Sequence, residues 1–325
     1  MTLGALRAAR MLLGTFGSRL FANGRSPIRK STHTACQVTF DWYEASSTVQ
    51  RILILVHGVT LLGKSDERLQ HFARALAASG LRVAAIDLPG LKTCNFVTED
   101  SEAIATLTVE LASKYQAPVG LVGFSFGAGL ALTAACRAEV HGSLDQVLCF
   151  GAYHSLSAIW EHCLELYRQE PQTYSEWNDF IYMMLVMALS AKERLNLNQT
   201  EQRTIVSTLE AYCKEPSLAS KRGAYEQLRH LPIVAAFSET MDHERNCQLS
   251  PAGKLAALTA RVNLLHDNRD RVIPPQESLR IFEELRAGGR ARLLVTPLLS
   301  HIYLGSLRGV LDIPTLLSML GETIG

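Results

Sequence analysis

The chain is predicted to fold as an α/β protein with a mostly parallel central sheet and helices on both of its faces. Three observations predict this. Short apolar runs alternate with stretches of helical periodicity from residue 51 to 150 and again from 261 onward, the order that parallel sheets require. Runs such as Ile52-Leu53-Ile54-Leu55-Val56 are apolar at every position, as strands covered on both faces must be. Between Gly151 and about Lys254 the alternation stops, and helical periodicity alone remains.

The elements follow in order. An extended segment near 36–43 precedes strand 51–56. Helix 66–79 opens on Asp66-Glu67, acids at the positive end of a helix dipole. Strand 82–87, helix 100–114 and strand 119–123 lead to helix 126–138, whose Ala128-Gly129-Leu130-Ala131-Leu132 stretch is strongly helix-forming. Strand 146–150 completes the first half. Helical periodicity then covers 155–167, 174–195, 200–212 and 217–231. Strand 261–266, helix 275–286, strand 291–296 and a last helix near 313–320 resume the core pattern. The predicted organisation is a basic extension over 1–35, a core from 36–150 and 255–325, and a helical cap over 151–254, inserted after the sixth strand.

Composition narrows the function classes. With 32 Lys and Arg against 31 Asp and Glu, the chain lacks the positive excess that binding nucleic acid demands. Its 7 cysteines are odd in number and dispersed, with no C-x-x-C pair, so they read as reduced thiols rather than a disulfide framework or a zinc site. Cysteine usage therefore points to a reducing compartment, the cytoplasm or the mitochondrial matrix. The first forty residues carry Arg7, Arg10, Arg19, Arg25, Arg29 and Lys30 and no acid. That start suits three readings: an organellar presequence, a helix lying on an anionic membrane surface, or a plain terminal tail. No uninterrupted apolar stretch reaches the length of a membrane span.

The chemistry-bearing motifs stand at predicted strand ends. Gly123-Phe124-Ser125-Phe126-Gly127 joins a strand to a helix as G-x-S-x-G, the pattern of a nucleophile elbow. His57-Gly58-Val59 closes the strand 51–56, and Asp87-Leu88-Pro89-Gly90 closes the next. His266-Asp267-Asn268-Arg269-Asp270-Arg271-Val272-Ile273-Pro274 resembles H-G-x-x-D-x-x-V-P, with Asp267 in place of glycine. Asp is among the residues that enter left-handed backbone most readily, so the change is tolerable. Pro297-Leu298-Leu299-Ser300-His301 follows the last strand-like run.

Together these motifs resemble the α/β-hydrolase superfamily over about 36–150 and 255–325. The resemblance implies a Ser, Asp, His triad in that chain order: Ser125 as nucleophile, Asp270 as the acid and His301 as the base. It implies an oxyanion hole from the backbone N–H groups of Val59 and Phe126. The expected reaction is hydrolysis of a carboxylic ester or thioester through an acyl-enzyme, with a small-molecule acyl substrate and no metal, nucleotide or flavin cofactor.

Each assignment has a plainer competitor. Ser125 could only cap the helix after it, and Asp267 could replace Asp270 as the acid. His57 and His154 are candidates for the substrate pocket, but structural roles suit both better, His57 as a shaper of the oxyanion loop. Trp160, Trp177, Phe180, Tyr182, Met183, Met184, Leu185 and Met187 in the cap could line an apolar pocket, yet a hydrophobic helix stripe is more often core. Amide or peptide hydrolysis, and a non-catalytic binding protein on a hydrolase fold, remain as alternative functions. Dehalogenase and epoxide hydrolase relatives carry Asp where Ser125 stands.

Overall fold

The structure, a computed structural model, describes residues 28–35, 37–45, 51–168, 178–193, 195–214, 222–224, 226, 230, 242–300, 303–304 and 310–324. An eight-stranded sheet organises them. In chain order its strands are β1 (Arg29–Ala35), β2 (Val38–Glu44), β3 (Ile52–Val56), β4 (Arg82–Ile86), β5 (Val119–Phe124), β6 (Leu144–Phe150), β7 (Arg261–Asp267) and β8 (Ala291–Thr296). In space they run β1-β2-β4-β3-β5-β6-β7-β8. β2 is antiparallel to both its neighbours, and every pair from β4 through β8 is parallel.

Both faces of the sheet's centre are covered, which is why strands such as β3 and β5 are apolar throughout. Alternate residues of a strand point to opposite sides. Ile52, Ile54 and Val56 join one core cluster while Leu53 and Leu55 join the other, and all five are fully buried. Each such side chain contributes about 1.5–3 kcal/mol on burial. On the first face pack α3 (Thr98–Tyr115), α4 (Phe126–Ala135) and α9 (Pro275–Leu285), through Ile104, Leu130 and Ile281 among others. On the second pack α1 (Glu67–Ala78) and α10 (Ile313–Ile324), through Leu69, Leu76, Leu316 and Leu320. Asp66 caps α1, its carboxylate accepting from Arg68 N at 3.0 Å. A short helix, α2 (Pro89–Thr93), precedes α3 with proline in its first turn.

The sheet begins earlier than the sequence predicts. Residues 29–35, expected to belong to an extension, form an outer strand paired in full register with β2, from Arg29 opposite Glu44 to Ala35 opposite Val38. Its residues are exposed on both faces, so the strand carries no hydrophobic signal, and backbone pairing alone defines it. Residues 1–27 lie outside the described residues, and so do the targeting and membrane-surface readings of that segment.

Between β6 and β7 the described elements are all helical: α5 (Leu156–Arg168), α6 (Asn178–Ser190), α7 (Gln199–Lys214) and α8 (His243–Leu249). Most of the helix expected over 217–231 lies outside the described residues. The chain leaves the core and returns to it side by side. Tyr153 Oη donates to Leu249 O at 2.9 Å, Leu156 N to Ser250 Oγ at 2.8 Å, and Ala252 N to His154 O at 3.1 Å. Among the described residues, no helix is long and apolar enough to cross a membrane.

Candidate active site

Ser125 stands between β5 and α4 with φ 53° and ψ −129°. A residue with a side chain rarely adopts that conformation, and holding one there costs about 1–3 kcal/mol. The surroundings enforce it. Ser125 N donates to Phe150 O at 2.7 Å, and Ser125 O accepts from Ala128 N at 2.8 Å. The two flanking glycines permit the close approach. A Cβ on Gly123 would lie 2.4 Å from Ala128 Cα, and one on Gly127 would lie 2.1 Å from His57 O.

β3 is the strand from which the chain winds outward in both directions, to β4 on one side and to β5 on the other. Ligands of open α/β sheets bind at such a switch point, outside the carboxyl ends of the strands. The loop after β3 lies there, against the elbow: a Cβ on Gly58 would come within 3.2 Å of Ser125 Cβ. His57 fixes this loop. Its Nδ1–H donates to Gly58 O at 2.7 Å, and its Nε2 accepts from Leu88 N at 3.1 Å. Burial pushes its imidazole pKa down, in keeping with a neutral ring that donates at one nitrogen and accepts at the other. His57 is thus a strut between two loops, and the pocket expectation for it is corrected: both ring nitrogens are spent on backbone. Phe126 is the first residue of α4, so its N–H has no acceptor within the helix and points outward at the start of a helix dipole.

The acid candidate is held tightly. Asp270 Oδ1 accepts from Val272 N at 2.9 Å and Ile273 N at 3.0 Å, and its side chain is fully buried. His266, at the end of β7, supports the same loop. Its Nε2–H donates to Ile273 O at 2.8 Å and lies 3.5 Å from Asp270 Oδ2, and its Nδ1 pairs with Ser278 Oγ on α9 at 2.6 Å. In the sequence His266 stands at the head of the acid motif, but the motif alone gave it no role. Asp267 is the lesser candidate; its Oδ1 accepts from Arg269 N at 3.0 Å, turning the loop. His301 lies outside the described residues. Just before it, Leu298 and Leu299 are buried in the same cluster as Phe124, Phe150 and Leu265, at the carboxyl ends of β5, β6 and β7.

The helical segment touches three loops of this edge. Trp160 on α5 stacks on Phe126 with ring centroids 5.5 Å apart, His162 on the same helix contacts Arg271 O at 2.8 Å, and Tyr182 on α6 accepts from Leu61 N at 3.2 Å. Trp160 also stacks on Phe96 and is 1% exposed, so it belongs to an aromatic packing cluster behind the elbow. Met183, Met184 and Met187 are likewise buried in the core cluster, the packing role that helix stripes usually have. The side chains of Trp177 and Phe180 lie outside the described residues. His154 is held at two points on α9: its backbone N donates to Glu277 Oε2 at 2.9 Å, and its Nε2 pairs with Glu284 Oε2 at 2.8 Å. Glu284 lies two and a half turns along α9 from Pro275, roughly 13 Å down the helix from its N-terminal end. Among the described residues, no group of three His, Cys, Asp or Glu side chains is arranged to hold a metal ion.

A central sheet in this strand order, a serine on a strained turn at its switch point and a buried acid after β7 define a hydrolase-type α/β protein. The chain belongs to the alpha/beta hydrolase family, whose model matches residues 53–306. No curated protein matches it in sequence. Among solved structures it is similar to an esterase from Pyrococcus furiosus, at 13% identity and a TM-score of 0.54, with 92% of each chain covered. It is also similar to a proline iminopeptidase from Mycobacterium smegmatis, at 15% identity and a TM-score of 0.51, covering 91% of this chain and 97% of that one. Dipeptidyl peptidase 4 of Porphyromonas gingivalis matches at 11% identity and a TM-score of 0.53, over 94% of this chain and 37% of that one. At these identities the likeness is one of fold.

Proposed function

We propose that the protein is a serine hydrolase that cleaves a carboxylic ester or thioester through an acyl-enzyme on Ser125. The observation that carries this reading is the strained backbone of Ser125 beside Gly58 at the switch point, because strain of that size persists where a side chain must be presented at one place. Serine needs a base to take its proton as it attacks, and His301 is assigned that role, oriented by Asp270. The Ser125 oxygen adds to the acyl carbon and the carbonyl electrons move to oxygen. The resulting oxyanion is met by the N–H groups of Phe126 and Val59, each worth about 2.7–4 kcal/mol in comparable sites. Collapse breaks the bond to the alcohol or thiol, which leaves with the proton from His301. Water, deprotonated by the same base, then releases the acid and frees the serine. The helical segment contributes the cap of this site.

Reaction with a fluorophosphonate probe tests the reading. Wild-type protein should label on Ser125 and Ser125→Ala should not, and a screen of p-nitrophenyl esters should then reveal turnover. Labelling that survives in Ser125→Ala would place the nucleophile elsewhere.

A further inference from the structure

The loop after β3 must hold the Val59 N–H in place, and most of its restraints come from the core. His57 ties its start to Leu88. Thr60 Oγ1 donates to Asp66 Oδ2 at 3.3 Å and accepts from Leu62 N at 3.3 Å, and Gly63 N donates to Thr60 O at 3.2 Å. One restraint is of a different kind. Leu61 N, two residues from Val59, donates to the hydroxyl of Tyr182, a residue 121 positions away on α6.

α6 is well anchored to receive that bond. Met183, Met184 and Met187 bury it in the core cluster that also contains Leu88 and Leu91, and Tyr182 packs at the margin of the same cluster. The ring of Tyr182 could be matched by phenylalanine for packing alone. What tyrosine adds is the hydroxyl, and the hydroxyl accepts from a backbone N–H of the oxyanion loop.

We propose that Tyr182 is a positioning residue: by accepting from Leu61 N–H, it makes the geometry of the oxyanion loop depend on the docking of the helical segment. The inference rests on the serine hydrolase reading and deepens it. A misplacement of about 1 Å in such a site can cost a hundredfold in rate, so a loop anchored from the helical segment would be competent only when that segment is seated.

Tyr182→Phe tests this, because it keeps the ring and removes the hydroxyl that accepts from Leu61 N. Three quantities are read on the full chain: the single-turnover rate of fluorophosphonate labelling, deuterium exchange in the peptide covering 57–66, and the melting temperature. The expected result is labelling slowed about tenfold and faster exchange in 57–66, with melting little changed. With a labelling ester substrate, kcat should fall and KM stay near the wild-type value. Labelling at the wild-type rate overturns the inference, whatever happens to exchange, and leaves the serine hydrolase reading standing. Slowed labelling with unchanged exchange also overturns it, since the hydroxyl would then act on the reactants rather than on the loop. Wild-type protein that does not label at all would remove the hydrolase reading and this inference together.

Discussion

Gly58 approaches Ser125 so closely that a methyl group on its Cα would sit 3.2 Å from the serine Cβ, placing the loop after β3 directly against the nucleophile elbow. The contact joins two halves of the sheet, since β3 and β5 are neighbours in space with Val56 opposite Gly123. Any group attached to Ser125 therefore emerges beside the backbone of that loop.

The strain at Ser125 gives the first prediction. Glycine adopts φ 53°, ψ −129° freely, whereas alanine does not. Ser125→Gly and Ser125→Ala should both lose fluorophosphonate labelling, but only the glycine variant should gain stability, by about 1–3 kcal/mol in urea denaturation. Equal stability of the two variants would mean that the backbone there is relaxed.

Gly127 offers a purely steric test. Its Cβ would meet His57 O at 2.1 Å and Val56 O at 2.8 Å, both backbone atoms that cannot turn aside. Gly127→Ala should lose about 3 kcal/mol or more of stability together with labelling. Gly223→Ala, where no described residue lies within 4 Å, should change stability by less than about 0.5 kcal/mol. Similar melting temperatures for the two variants would contradict the packing described.

Two carboxylates compete for the acid role, and mutation separates them. Asp270 is fully buried with two backbone N–H donors on one oxygen, while Asp267 turns its own loop. Asp270→Asn should lower kcat about 10³–10⁴-fold, and Asp267→Asn should lower it less than about tenfold. The reverse ranking would make Asp267 the acid.

What the sequence revealed follows from where its signals are written. Strands buried on both faces announce themselves as unbroken apolar runs, so β3 and β5 were legible, as was the elbow, whose glycines are fixed by contacts under 3 Å. β1 was not, because an exposed edge strand needs no apolar residue at all. Residue type also suggested candidates that only contacts could sort. His57 and His154 looked available for a pocket, yet each is tied to a partner that the sequence could not name: Leu88 N and Glu284. Tyr182 was weighed between pocket lining and core packing, and the bond to Leu61 is a tertiary fact with no local trace.

Asp100 predicts a pH dependence of stability. It is 3% exposed, and its Oδ2 has no hydrogen-bond partner. Burial first, with the neighbouring Glu99 adding, raises its pKa from 3.8 to about 7 against a backbone hydrogen bond from Gly90 that lowers it. The unfolded chain releases this proton near pH 4 and the folded protein near 7. Between those values the folded state holds the extra proton, so stability falls as pH rises, and the loss is complete above about 7. Each factor of ten in acid dissociation is worth about 1.4 kcal/mol. Asp100→Asn should therefore be more stable than wild type by about 1–4 kcal/mol at pH 8, with the difference shrinking toward pH 4. A difference that is the same at pH 5 and pH 8 would show that the carboxyl titrates normally.

The last prediction concerns the acyl group. The helical segment is strongly apolar where it packs on the core, with Trp160, Met183, Met184 and Met187 all buried there. Asp100, whose pKa burial raises to about 7, is partly protonated near neutral pH and so is a weak counter-ion for a substrate amine. An ester or thioester with an apolar acyl chain fits this environment better than an aminoacyl group does. Burying each methylene contributes about 0.8 kcal/mol, close to a fourfold gain, and only the part also felt in the transition state raises kcat/KM. In a series of p-nitrophenyl esters, kcat/KM should climb over the first few added carbons and then level off once the pocket is filled. Faster turnover of aminoacyl arylamides than of any simple ester would move the assignment to a peptidase, with Asp100 as the first residue to replace in search of the amine site.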